Sequence, residues 1–212
     1  MMKRFLLCVL PLAACAPVDT ESEGVAVQLS TATLAPIQDT WISVTSSGTF
    51  DWGRSCQLRV SPTTSTTRNH LLVQFQPLTA AQCATLSSAV LRLRTAPPLP
   101  SPGFGATAFR IVTAWTAGTT GSAACAACEV TSGTSSPITL PSFTDPASTV
   151  GPTGACNYFP WDVTSIVQHW CANPGTDHGI LLTGPTTGTA SFLNFHSMEA
   201  PAGSRPELVI TF

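Results

Sequence analysis

The sequence predicts an all-β domain, a β-sandwich carrying one short helix, and three observations lead there. Short runs alternate apolar with polar residues, the period of a strand with one buried face. Clusters of Gly, Pro, Ser, Thr and Asn separate those runs. Helical spacing occurs in a single stretch, around residues 162–172. Short strands with turn clusters and one helix bury their apolar faces best as two packed sheets.

In chain order, Trp41-Ile42-Ser43-Val44 is the first strand candidate, and Cys56-Gln57-Leu58-Arg59-Val60 follows the turn around Asp51-Trp52-Gly53. Leu71, Val73 and Phe75 give the next strand one apolar face. From Ala89 to Thr95 the alternation is sharpest, with Leu91 and Leu93 on one side and Arg92 and Arg94 on the other. Phe109-Arg110-Ile111-Val112 repeats the type. A polar stretch from Thr116 to about Pro152 then exceeds an ordinary loop and reads as an insertion. Asp162 and Thr164 are placed to cap the helix, whose apolar stripe is Ile166, Val167 and Trp170; Asn173-Pro174-Gly175 ends it. Strands at Gly179 to Thr183, Ser191 to His196 and Glu207 to Phe212 close the chain.

The N-terminus reads as a bacterial export signal. Lys3 and Arg4 precede an apolar run, Phe5 to Leu12, too short to span a bilayer. Leu12-Ala13-Ala14-Cys15 resembles a lipobox, which predicts a lipoprotein signal peptide over 1–14 and acylation of Cys15. The alternative is an ordinary secretory signal in which Cys15 is incidental; export follows either way. Ala16 after the cysteine fits an outer-membrane destination in a two-membrane bacterium. Residues 15–36, with Asp19, Glu21 and Glu23 among small residues, read as a flexible tether, and 37–212 as one folded domain.

Composition narrows the function. Charged residues are 9% of the chain, so the surface is built from hydroxyls and backbone. Beyond the signal, seven arginines against eleven carboxylates leave a formal charge of −4 and no basic face for nucleic acid. Six cysteines remain after Cys8 and Cys15: Cys56, Cys83, Cys125, Cys128, Cys156 and Cys171. In an exported chain they predict three disulfides, with fifteen pairings open. Cys125 and Cys128 are expected to reach Cys156 and Cys171 and staple the insertion to the core. A four-thiolate zinc site on those same residues, or a redox pair at Cys125 and Cys128, is the alternative.

The order of local signatures is more specific than any one of them. Asp39-Thr40-Trp41-Ile42 opens the domain, and Trp52-Gly53 leads into Leu58-Arg59-Val60. Leu71-Leu72-Val73-Gln74-Phe75 precedes Leu86-Ser87-Ser88-Ala89-Val90-Leu91-Arg92-Leu93, then Ile111-Val112-Thr113-Ala114-Trp115-Thr116. Trp161-Asp162-Val163-Thr164, His178-Gly179-Ile180-Leu181-Leu182, Phe195-His196-Ser197-Met198-Glu199 and Arg205-Pro206-Glu207-Leu208 complete the set. In this order they closely resemble the DNRLRE domain, also called the disaggregatase-related repeat, and are similar to modules of carbohydrate-binding family 96. The resemblance spans about Ile37 to Phe212. It implies a jelly-roll-like sandwich and a non-catalytic module that holds polysaccharide or cell-surface glycan. The chain departs from the family pattern in two places: Ala117 stands where the family commonly has Glu, with the cysteine-bearing insertion replacing a Trp-Asn segment where a ligand face is expected, and Gln74 and Gln76 flank Phe75 in place of Arg and Asp.

A sugar-binding face needs aromatic platforms and a few fixed polar groups. Trp115, where a strand meets the long loop, and Trp52, in a turn, are the aromatic candidates, each with a competing place in the core. Trp161 and Trp170 flank the helix and read as core. Arg92, Arg94 and nearby Arg59 are candidates to meet an acidic polysaccharide; the simpler role is to solvate an exposed sheet face. Glu199 and Arg205 are expected to brace the chain end. Asp39, Asp51 and Asp162 form no dense ligand set, so no metal is assigned. The four histidines are scattered and no Gly-x-Ser-x-Gly elbow occurs, so the expectation is no enzyme and no cofactor. A structural or adhesive surface protein making protein–protein contacts is the alternative function.

Overall fold

A computed structural model describes residues 29–53, 55–64, 66–97, 103–118, 136–187 and 191–212. β1 (Thr31–Leu34), β2 (Pro36–Thr45), β3 (Gly48–Asp51), β4 (Gln57–Val60) and β5 (Arg68–Phe75) precede a short helix, α1 (Ala80–Ala84). β6 (Ser88–Ala96), β7 (Ala106–Ile111), β8 (Ser136–Pro137), β9 (Phe143–Val150) and β10 (Tyr158–Asp162) lead to α2 (Thr164–Ala172). β11 (Ile180–Thr183), β12 (Leu193–His196) and β13 (Glu207–Thr211) follow, with a 3₁₀ turn at Ala202–Ser204.

All pairings are antiparallel and form two sheets. The first runs β1-β13-β6-β12-β4, with β10 on the other side of β6. The second runs β8-β3-β2-β5-β11-β7-β9. The expected all-β sandwich is therefore the fold.

Between the sheets lies the main core. Leu58 and Val60 of β4, Leu91 and Leu93 of β6, and Leu71, Val73 and Phe75 of β5 meet there, as strand alternation requires. Trp161 is fully buried at its centre, edge-on to Phe195 with ring centroids 5.6 Å apart, and its Nε1 donates to the Ala106 carbonyl. A second cluster covers the outer face of the second sheet, where Ile42, Leu72, Ile111 and Leu181 pack under Trp115, Leu140 and Phe143. That explains the unbroken apolar run Leu71-Leu72-Val73: its strand is covered on both faces. Gly179, at φ +99°, lies so close to β5 that a Cβ there would stand 2.5 Å from the Val73 carbonyl oxygen.

Several boundaries differ from expectation. Thr31–Leu34 falls in the expected tether yet forms β1, laddered against β13, so the sandwich begins before Ile37. Its Thr-Ala-Thr-Leu sequence has little strand signal of its own, and the exposed edge of β13 supplies the order. The expected loop from Thr116 to Pro152 contains β9, an edge strand on β7 whose register slips twice and which tolerates Pro146. β10 was hidden beside the helix signal. A second helix, α1, is set by a capping box between Thr79 and Gln82 but buries no residue, so no apolar stripe announces it. α2 lies where it was read and stops at Asn173, but its N-cap is Val163, without a side-chain cap bond; Asp162, one residue earlier, accepts from Thr164 N (3.0 Å) and Oγ1 (2.7 Å).

Cys83 on α1 and Cys171 on α2 form a disulfide across 88 residues. This corrects the expected link from Cys171 to the Cys125/Cys128 pair, because α1 carries Cys83 to the end of α2. It also removes Cys171 from the alternative zinc set. Cys56 is disulfide-bonded too, and Cys156 lies in the turn before β10. Residues 1–28 with Cys15, and Cys125 and Cys128, lie outside the described residues. No helix among the described residues is long and apolar enough to cross a membrane.

Candidate functional site

At one rim of the sandwich, β4 on the edge of the first sheet approaches β2 of the second. Leu58 and Val60 point inward, so Arg59 between them points out. Its guanidinium lies between two aromatic rings, 4.2 Å from the Phe192 centroid and 5.1 Å from that of Trp41. Nε donates to Asn194 Oδ1 at 3.1 Å, directly across the β4–β12 ladder. Burial pulls the Arg59 pKa down from its ordinary value, a shift that leaves a guanidinium cationic at neutral pH. Its terminal nitrogens have no hydrogen-bond acceptor among the described residues.

Trp52 completes the cluster. Its ring lies flat on Trp41, centroids 4.6 Å apart and planes 4° from parallel, and its backbone N–H donates to the Trp41 carbonyl. Asp51 shapes this turn: its carboxylate accepts from the Thr40 hydroxyl, from Gly53 N at 2.8 Å and from Gly118 N. Trp41 is buried, Trp52 is half-buried and Phe192 is 37% exposed, so Phe192, Trp52 and Arg59 are the parts that face solvent. Two neighbouring amides, Gln57 and the Nδ2 side of Asn194, are buried and have no hydrogen-bond partner among the described residues. The arrangement offers flat apolar rings around a fixed cation that still has donors to give.

Arg92 and Arg94 share this outer sheet face, since Asn194 pairs with both Arg59 and Ala96, but other groups hold them. Arg92 is ion-paired with Glu207 at 2.9 Å and sits 4.7 Å from the Tyr158 ring centroid. Arg94 donates to the Cys156 carbonyl (2.8 Å), the Gly203 carbonyl and Ser204 Oγ, tying the 3₁₀ turn to β6. Trp115 is nearly closed off: 9% exposed, it packs in the outer cluster and its Nε1 donates to the His178 carbonyl at 2.6 Å. Of the sequence-predicted residues, the structure brings Arg59 and Trp52 together and places Arg92, Arg94 and Trp115 in separate networks.

Two further charged residues bind backbone groups of the fold. Arg205 Nε donates to the Ala200 carbonyl, bracing the chain before β13. Asp39 is buried and accepts from Met198 N. Burial first, then the charge of Glu199, push its carboxyl well above the usual carboxylate range. Asp39, Asp51 and Asp162 thus serve three different places, and no group of three or more His, Cys, Asp or Glu suited to a metal occurs among the described residues. Trp41, Phe192 and Asn194 were missed. Register across β4 and β12 places Asn194 opposite Arg59, while Trp41 and Phe192 are found only by their rings against its guanidinium.

The class the fold and site define is an antiparallel two-sheet sandwich with an arginine held against aromatic rings at its rim. Residues 30–212 match the model of carbohydrate-binding module family 96, and the chain belongs to that family. The match begins beside β1, in keeping with the earlier start of the sandwich. No curated protein matches the chain.

Proposed function

We propose that this protein is a non-catalytic module that binds polysaccharide or cell-surface glycan at the rim formed by Arg59, Trp41, Trp52 and Phe192. The observation that carries the reading is the Arg59 clamp: a cation fixed between rings, with donors not used by the described residues. Aromatic faces take the C–H side of a pyranose, while the guanidinium suits a carboxylate or sulfate on the same chain. Membership of a carbohydrate-binding family supports the ligand class. The competing adhesive role, contact with another protein, would favour tryptophans that are all buried; Trp52 is not.

The lipobox-like Leu12-Ala13-Ala14-Cys15 supports the further reading that lipid on Cys15 holds the module at the bacterial cell envelope, on the outer membrane. Radiolabelled palmitate tests it: label is expected on the wild-type chain and absent from Cys15→Ser. Label that persists in the variant contradicts the anchor. For the glycan, affinity electrophoresis against neutral and acidic polysaccharides tests the rim. Retardation by at least one polysaccharide, lost in Arg59→Ala, is expected; no retardation of folded protein by any of them favours the protein-contact role.

A further inference from the structure

A cavity of about 290 Å³ lies between α1, the C-terminal end of α2, and the turn after it. Trp170, Pro77, Leu78 and Pro174 form its apolar wall, Ala80 its α1 side, and Asp177 is the one acidic residue of its lining. It shares no residue with the Arg59 rim. We propose that this cavity is a second sugar site, taking a single uncharged pyranose with its C–H face on Trp170 and hydroxyls on Asp177.

Three observations carry the assignment. The first is size: ligand cavities start near roughly 300 Å³, and at about 290 Å³ this one suits a single ring. The second is the state of Trp170. Trp115 and Trp161 each give their indole N–H to a backbone carbonyl, as buried structural tryptophans do. Trp170 Nε1 is buried and has no hydrogen-bond partner among the described residues, an unused donor on a residue that lines the cavity.

The third is how the walls are held. α1 has five residues and buries none of them, so core packing gives no reason for its order. A capping box and the Cys83–Cys171 disulfide nonetheless pin it beside α2, and both cysteines line the cavity. Gln74 Nε2 donates to the Asp177 carbonyl at 2.6 Å, which fixes the backbone that carries the carboxylate. Preorganised walls are what a weak, single-ring ligand needs. In this assignment the Asp177 side chain sets the class of sugar, accepting hydroxyl protons from a neutral ring and repelling an acidic one.

Saturation-transfer NMR on the full chain, with the methyl pyranosides of glucose, galactose, mannose and N-acetylglucosamine as probes, tests the site. At least one probe is expected to receive saturation from the wild type and equally from Arg59→Ala. Its affinity is expected to fall at least about 10-fold in Trp170→Leu and in Ala80→Trp, which fills the mouth from an exposed helix position and leaves the core intact. Asp177→Asn is expected to weaken binding about 3-fold to 10-fold. The proposal is overturned if none of the probes receives saturation from folded protein, or if transfer survives Ala80→Trp unchanged. Transfer lost in Arg59→Ala overturns it too, by assigning the sugar to the rim.

Discussion

Trp52 lies flat on Trp41, 4.6 Å between ring centroids, so the turn after β3 is held to β2 by an indole pair as well as by the Trp52 N–H to Trp41 carbonyl bond. Stacked aromatic pairs add about 0.5–1.5 kcal/mol beyond the area they bury. Trp52→Ala is therefore expected to lower stability by about 1–3 kcal/mol, with most of the loss from ring contact. Urea unfolding measures it. A midpoint equal to the wild type's would show that the stack contributes nothing.

His70 predicts a pH dependence. Burial first, then the charge of Arg68, lower its pKa from 6.5 to about 4. The unfolded chain takes up the proton at higher pH than the folded one, so stability rises with pH between about 4 and 6.5 and is lost as pH falls through that window. The full effect is about 3 kcal/mol for this one group. Asp39, with its raised pKa, acts in the opposite sense, so total stability alone does not isolate His70. The difference in unfolding free energy between wild type and His70→Gln, followed from pH 4 to 7, does. A difference that stays flat across that range contradicts the buried neutral imidazole.

The Cys83–Cys171 bridge closes a long loop onto a helix that buries nothing. Replacing both cysteines by serine is expected to cost about 2–4 kcal/mol, chiefly by freeing the unfolded chain. Proteolysis within 77–86, while the sandwich stays intact, is the accompanying signature. Equal stability of the double variant would mean that α1 is held by other contacts.

Trp115 separates architecture from binding. Trp115→Phe keeps an aromatic ring in the outer cluster but removes the N–H bond to His178. A loss of about 1–3 kcal/mol in stability is expected, with polysaccharide affinity unchanged. Affinity that falls while stability holds would place Trp115 at the ligand.

Much of the fold was legible because it is written in alternation. Leu91/Leu93 against Arg92/Arg94, and the stripe of α2, appear in the structure as they read in the sequence. Elements without such a pattern were not legible. β1 owes its order to β13, β9 carries Pro146 on an edge, and α1 rests on a cap and a disulfide. The rim was half legible. Arg59 and Trp52 stand out as residue types, but Asn194 joins them only through strand register, and Trp41 and Phe192 only through ring contact in the folded chain. Trp115 misled for the same reason: nothing local says that residues 138–143 fold over it.

The central claim rests on Arg59 and is tested most directly by calorimetric titration of a retarding polysaccharide into wild type and Arg59→Ala. The account predicts at least a 10-fold loss of affinity, roughly 1.4 kcal/mol, in a variant whose circular dichroism and urea midpoint show an intact sandwich. Undiminished affinity in that folded variant would contradict the assignment of the rim as the glycan-binding face.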